Sequence, residues 1–226
     1  SNWFALSESL FDGNINNVAI AENNSEIIAV TYGSRIKISI DGGINFTEVS
    51  SPVLPGSSIK DIAFDPSNDD NIILTYGSFY NDNKKIFLSN NLGQSWSNIT
   101  YNLGNMPIRC VAIDNSEDPT IYVGAEIGVF KKTMSENSWQ LYNENLPNTT
   151  IMELEVIYGS NTLRAATWGR GVWECSLAGR ENYPSIKTTR ISNQPTEYHP
   201  KEGTEQFVTS NIQYDEELTN VYVEWS

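Results

Sequence analysis

One six-residue pattern recurs four times along the chain: Ile15-Asn-Asn-Val-Ala-Ile20, Ile59-Lys-Asp-Ile-Ala-Phe64, Ile108-Arg-Cys-Val-Ala-Ile113 and Ile151-Met-Glu-Leu-Glu-Val156, at offsets of 44, 49 and 43 residues. A second landmark keeps the first offset, since Ile28-Ala-Val-Thr-Tyr-Gly-Ser34 stands 44 residues before Ile72-Ile-Leu-Thr-Tyr-Gly-Ser78. Ile121-Tyr-Val-Gly124 and Leu163-Arg-Ala-Ala-Thr-Trp-Gly169 are weaker echoes. Aromatic anchors at Trp3, Phe46, Trp96 and Trp139 follow at spacings of 43, 50 and 43. Three landmarks with one period confine the chain to a tandem array of similar units.

Each unit holds short runs rich in valine, isoleucine, tyrosine and threonine, bounded by glycine, asparagine, aspartate and proline, which is strand chemistry. Four such runs fit one period, for instance Ile59 to Phe64, Asn71 to Tyr76, Lys85 to Ser89 and Ser95 to Thr100. Four-stranded units of this length must stack on their neighbours to bury both faces, so the spacing predicts an all-β chain built as β-propeller blades. An ordinary β-sandwich with accidental self-similarity is the competing architecture. The turn between the third and fourth strands carries its own motif. Ser39-Ile-Asp41-Gly-Gly43-Ile-Asn-Phe46 reads S-x-D-x-G-x-x-aromatic, and Ser89-Asn-Asn91-Leu-Gly93-Gln-Ser-Trp96 repeats it with an amide for the carboxylate. A short side-chain oxygen accepts backbone N–H bonds inside the turn, glycine takes a positive φ, and the aromatic packs beneath.

This turn resembles the Asp-box, or BNR repeat, of sialidases, Vps10-type sortilin ectodomains and secreted glycosidase-like propellers. The resemblance runs from about Trp3 to Leu177. In the third unit the equivalent positions are Lys132, Met134, Glu136 and Trp139, so only the aromatic is kept. The fourth unit ends in Thr167-Trp-Gly-Arg-Gly-Val-Trp-Glu174, which looks like the closing blade of Asp-box propellers in large type IX-secreted bacterial surface proteins. The resemblance implies that Ser39, Asp41, Gly43, Phe46, Ser89, Asn91, Gly93 and Trp96 hold turns on an outer rim, remote from any central site.

The repeat sets the domain boundaries. Residues 1–178 are expected to be propeller blades, part of a larger wheel, with Trp3 to Ser9 as the outermost strand of a blade and Thr167 to Leu177 as a third strand without a fourth. Residues 179–204 are polar, carry Pro184, Pro195 and Pro200, and read as a linker. Residues 205–226 contain Gln206-Phe-Val-Thr-Ser-Asn-Ile212 and Thr219-Asn-Val-Tyr-Val-Glu-Trp225, which open an immunoglobulin-like or fibronectin-like β module. Further polypeptide or a partner chain is expected to complete it.

Composition removes several function classes. A net charge of −14 repels a phosphate backbone, so no nucleic-acid partner is expected. No apolar run approaches the ~20 residues of a spanning helix. His199 is the single histidine and lies in a proline-rich stretch, which leaves no histidine-clustered metal site; neither metal nor cofactor is expected. Cys110 and Cys175 lack CxxC spacing and are either one disulfide or two thiols. Four Asn-x-Ser/Thr sequons, at Asn23, Asn45, Asn98 and Asn148, favour a secreted or cell-surface setting.

Propeller enzymes work in the central funnel, lined by the first strand of each unit. Lys60, Asp61, Arg109, Glu153 and Glu155 are the candidates there. Asp61, Glu153 and Glu155 are the possible catalytic carboxylates of a glycoside hydrolase, which sets two of them ~5 to 9.5 Å apart across the substrate. Alternatively Asp61 and Glu153 face a solvated channel and pair with Arg109 or Lys60. The Arg-Ile-Pro motif that precedes sialidase boxes is absent. Acidic loops at Asp65 to Asp70 and Asn81 to Asn83 offer oxygen ligands but not the calcium-loop spacing. Among the aromatics, Tyr80, in an insertion of the second unit, is expected to face solvent as a binding residue with Arg109 and Lys60. The first reading is a non-catalytic module of a large secreted or cell-surface protein, binding glycan or protein partners or spacing domains. The second is a glycoside hydrolase using funnel carboxylates, and the third a sortilin-like peptide-binding propeller.

Overall fold

Every apolar run of the repeat becomes a strand. The structure, a computed structural model of the chain, describes residues 3, 5–6, 10–80 and 82–179, and the backbone of residues 185–192 and 207–213. Three sheets are antiparallel meanders of four strands. The first is β1 (Asn17–Ile20), β2 (Ile28–Tyr32), β3 (Arg35–Ser39) and β4 (Thr47–Val49). The second is β5 (Ile59–Asp65), β6 (Asn68–Tyr76), β7 (Ile86–Ser89) and β8 (Ser97–Asn98). The third is β9 (Ile108–Ile113), β10 (Thr120–Ala125), β11 (Gly128–Thr133) and β12 (Gln140–Leu141). The fourth has three strands, β13 (Ile151–Ile157), β14 (Thr162–Thr167) and β15 (Gly171–Ser176). The period reappears in the pairing register, because Val18 faces Val30, Ile62 faces Leu74 and Val111 faces Val123 at matching places in successive units.

Stacking explains why the second strands are apolar on both faces. Strand side chains alternate sides. In β6, Ile72, Leu74 and Tyr76 enter one core with Ala29, Ile36 and Ile38 of the first sheet, while Ile73 enters another with Ile121, Val123 and Ala125 of the third. Strand β10 is buried along its whole length for the same reason. The first strands neighbour one another across sheets, β1 beside β5 and β5 beside β9.

Several details depart from the sequence reading. Strand β8 is two residues long, not Ser95 to Thr100, because Thr100 Oγ1 accepts the amides of Lys85 at 2.9 Å and Ile86 at 3.0 Å in place of a ladder. The acidic run at Asp65 to Asp70 is a tight hairpin, and β6 starts at Asn68 instead of Asn71. Trp96 and Trp139 are buried as expected, yet Trp3 is fully exposed and lies in no strand. The rest of Trp3 to Ser9 falls largely outside the described residues.

The chain forms two compact units, residues 1–156 with 163–175, and residues 157–162 with 176–226. In the second unit, β16 (Ser185–Ser192) pairs antiparallel with β17 (Phe207–Gln213), Arg190 opposite Thr209. Strand β16 lies within residues 179–204, and its isoleucines and threonines suit extended backbone. Thr219 to Trp225, His199 and Pro200 lie outside the described residues. No helix among the described residues is long and apolar enough to cross a membrane.

Candidate functional site

The third residue of each hexad, Asn17, Asp61, Cys110 and Glu153, occupies the same place on four successive first strands. In two of them the side chain stitches its strand to the next sheet. With its amide oriented to satisfy both neighbours, Asn17 donates from Nδ2 to Lys60 O at 3.1 Å and accepts from Thr31 Oγ1 at 2.8 Å. Asp61 Oδ2 accepts the amide of Val111 on β9 at 2.9 Å, and Oδ1 accepts the amide of Ile62 at 2.8 Å. Burial pushes the Asp61 carboxyl up to about 6 against the pull of these two amides, and the Glu153 charge adds to the rise. Cys110 is buried, its thiol pushed well up by desolvation and then by Asp61 and Glu153. Gly124 lets the strands meet here: a Cβ on it would lie 2.4 Å from Cys110 Sγ and 2.7 Å from Ile151 Cγ2.

The cationic candidates take other partners. Arg109 donates from Nε and Nη2 to Glu126 Oε1 at 2.9 and 2.6 Å, and Thr150 Oγ1 donates to Glu126 Oε2 at 3.0 Å. The ion pair of Arg109 is thus with Glu126 in the β10–β11 turn, in place of the expected Asp61 or Glu153. Lys60 lays its stem against the backbone of Gly77, where an added Cβ would come within 2.8 Å of Lys60 Cε. Glu153 and Glu155 are exposed and alternate onto one face of β13. Glu153 is raised by partial desolvation and then by Glu155.

The two Ser-x-Asp/Asn-x-Gly turns share one bonding scheme. Ser39 Oγ accepts the amides of Gly43 at 2.9 Å and Asp41 at 3.3 Å, and Asp41 Oδ1 accepts the amide of Asn45 at 2.8 Å. Ser89 Oγ accepts those of Gly93 at 2.8 Å and Asn91 at 3.3 Å, and Asn91 Oδ1 accepts that of Ser95 at 2.8 Å. Gly43 and Gly93 sit at φ of +90° and +79°. The bonds to Asn45 hold the Asp41 carboxyl below its usual value. The third unit solves the problem with opposite polarity. Buried Lys132 stands where the serines stand and donates from Nζ to Thr133 O at 2.6 Å and Met134 O at 3.3 Å. Its ammonium lies 5.9 Å from the Tyr101 ring and 5.8 Å from the Trp139 ring, and burial lowers its pKa. Ser89→Ala leaves the buried Gly93 amide unanswered and should cost about 1–3 kcal/mol, read as a lower urea midpoint at unchanged m.

Tyr80 is 68% exposed and Phe79 77%. The insertion that carries them is tied down by Lys85, whose ammonium is buried and donates to Tyr80 O at 2.8 Å, Asp82 Oδ1 at 2.7 Å and Ser78 Oγ at 3.4 Å. The oxygens of Asp65 answer Ser67 at 2.8 and 2.7 Å and Asn71 at 2.8 Å, so they close their own turn. Cys110 and Cys175 are not joined in a disulfide, and one is buried and the other exposed. Of the residues that matter locally, Glu126, Lys85 and Lys132 had no motif to reveal them, though Lys132 had a repeat position.

No protein-family model and no curated protein matches the chain. Among solved structures it is similar to the GH74 enzyme of Niastella koreensis, at 18% identity and a TM-score of 0.56 over 73% of this chain and 29% of that one. It is also similar to the GH74 xyloglucanase from Xanthomonas campestris, at 15% identity and a TM-score of 0.55 over 72% of this chain and 29% of that one. The chain thus spans less than a third of the length of either enzyme. At these identities the likeness is one of fold. An all-β array of four-stranded antiparallel sheets fits the β-propeller fold of the GH74 enzymes.

Proposed function

We propose that this chain is a non-catalytic Asp-box β-propeller segment of a larger secreted or cell-surface protein, binding glycan or protein partners or spacing the modules around it. In this reading residues 1–178 are blades, the two Ser-x-Asp/Asn-x-Gly turns are Asp-boxes on the rim, and the chain beyond them opens a second β module. The observation that carries it is the use made of Asp61. The most buried of the three candidate carboxylates has each oxygen occupied by a backbone amide of β5 or β9 and serves as a clamp between sheets. Glu153 and Glu155, two residues apart on one strand, project side by side from the same face instead of opposing each other across a substrate.

A second reading, glycoside hydrolysis, draws on the raised Asp61 carboxyl with the Glu153 charge near it, an arrangement able to hold a proton near neutral pH. The fold likeness does not favour either, since propellers host unrelated functions. The chain is expected to release no reducing sugar from xyloglucan, mixed-linkage glucan or sialyllactose. Release that disappears in both Asp61→Asn and Glu153→Gln would overturn the non-catalytic reading.

A further inference from the structure

We infer that the crevice between the third and fourth sheets is the seat for Trp3 of a second copy of this chain, whose segment around Trp3 supplies the fourth strand that the fourth sheet lacks. The crevice has a volume of about 280 Å³ and is lined by Val129, Tyr142, Leu146, Leu163, Ala165 and Trp173. The inference rests on the stacked-blade part of the reading above and names the partner that continues the stack.

The repeat says what such a crevice takes. Trp96 shares a core with Ile36 of the first sheet and with Ile72, Leu74 and Phe87 of the second. One unit later, Trp139 packs in the same way with Ile86 of the second sheet and with Ile121, Val123 and Phe130 of the third. Carried on by one further unit, these positions are Val129, Leu163, Ala165 and Trp173, four of the residues that line the crevice. Each tryptophan also opens a fourth strand, β8 at Ser97 and β12 at Gln140. The fourth sheet has three strands, and its last, β15, is exposed from Gly171 to Cys175. A tryptophan at the start of an extended segment is therefore the occupant that this crevice is shaped for, and an indole is among the largest apolar groups a side chain can bury.

The chain also carries an anchor without a seat. Trp3 stands 43 residues before Phe46, in phase with the other anchors, and is fully exposed. Leu6 shows where its segment lies. A Cβ added to Gly43 would come 3.3 Å from Leu6 Cβ, as one added to Gly93 would come 2.9 Å from Val49 Cγ1. Leu6 follows Trp3 by three residues just as Val49 follows Phe46, and Val49 belongs to β4, the fourth strand of the sheet before Gly93. Leu6 thus rests on the first sheet in the manner of a fourth strand from a preceding sheet. From Leu6, three extended residues reach ~11 Å at most. Sheets packed ~10 Å apart put the crevice of the same copy about 25 Å from the first sheet, out of that reach. Trp3 is instead placed for the crevice of another copy, whose fourth sheet stacks on this copy's first. One anchor and one seat per copy make a head-to-tail contact. Two copies joined at both ends bring twice four sheets, which matches the upper end of the about four to eight blades usual in propellers, so a closed dimer is the expected assembly.

Sedimentation velocity of the full 226-residue chain from about 1 to 200 μM, a range in which moderate interfaces dissociate, tests this assembly. A species of twice 25.3 kDa is expected to form as concentration rises. Trp3→Ala should weaken it about thirtyfold or more, as for a buried aromatic anchor. Trp3→Phe should restore most of the association, since Phe46 already holds the anchor position of the first unit. On the seat side, Trp173→Ala should weaken it about tenfold or more. Trp168, 71% exposed and outside the crevice, is the control, and Trp168→Ala should leave the dimer unchanged. Because Trp3 is fully exposed in the single copy, Trp3→Ala keeps the far-ultraviolet circular dichroism of the parent, which separates lost association from lost fold. A chain that stays monomeric throughout overturns the inference. So does a dimer that Trp3→Ala or Trp173→Ala leaves intact, or one that Trp168→Ala weakens equally. None of these results touches the non-catalytic reading, which fails only on carboxylate-dependent sugar release.

Discussion

Trp139→Ala is expected to lower the unfolding free energy by about 3–5 kcal/mol, the range for removing a buried tryptophan side chain. The indole is 3% exposed and packs with Ile73, Ile86, Ile99, Ile121 and Val123, residues from both the second and third sheets and the segment between them. Its backbone is stitched to the same segment. Asn102 accepts the Trp139 amide at 2.8 Å and donates to Trp139 O at 2.9 Å, while indole Nε1 donates to Ile99 O at 2.8 Å. The ring therefore joins two sheets that share no ladder hydrogen bonds. For a chain of this length the loss corresponds to a fall in melting temperature on the order of 10 °C. Trp139→Phe keeps most of the packing but leaves Ile99 O without its donor, and should lose about 1–2 kcal/mol. Urea unfolding of both variants measures the difference, and a loss below about 1 kcal/mol for Trp139→Ala would mean that the indole is not the joint between these sheets.

What the sequence made legible was whatever repeats or bonds locally. The hexad spacing placed β1, β5, β9 and β13 because the same apolar positions return at one place in each unit, and this pattern survives changes of loop length. The Ser39 and Ser89 turns were readable because a serine oxygen and an amide four residues on meet in any chain that turns there. The contacts that decide how the first strands meet are of another kind. Asp61 meets Val111 fifty residues away, and Arg109 meets Glu126 across a turn, so the partner depends on how far successive sheets are displaced. No spacing within one unit encodes that displacement. Lys132 shows the converse: its position was readable from the period, but not that an ammonium among carbonyls would do the work of a hydroxyl among amides.

Asp61 gives the sharpest test of whether β5 and β9 are clamped as described. Its carboxyl is raised to about 6 from 3.8. Between those two values the native chain holds a proton at this position that the unfolded chain has released, so the contribution of Asp61 to stability falls as pH rises through that window. Acidifying from pH 7 to about 4.5 should therefore return about 2 kcal/mol through this one group. Carboxylates with depressed values, such as Asp41, Glu48, Asp82 and Asp118, have the opposite dependence and mask the effect in the parent alone. They are common to the parent and to Asp61→Asn, which does not titrate, and cancel in the difference. Near pH 7 the variant loses one acceptor for the Val111 or Ile62 amide but also loses a desolvated charge, so the two proteins should differ little. At pH 4.5 the parent should lead Asp61→Asn by about 2 kcal/mol more than at pH 7, and Asp61→Ala, with no oxygen for either amide and no titration of its own, should show the same pH-dependent gap on top of a further loss of about 1–3 kcal/mol for the Val111 amide alone. Urea midpoints for the three proteins at four or five pH values supply the comparison. A parent-minus-Asn difference that is flat in pH would mean that Asp61 ionises as it does in the unfolded chain, and that the carboxylate stands in solvent instead of between β5 and β9.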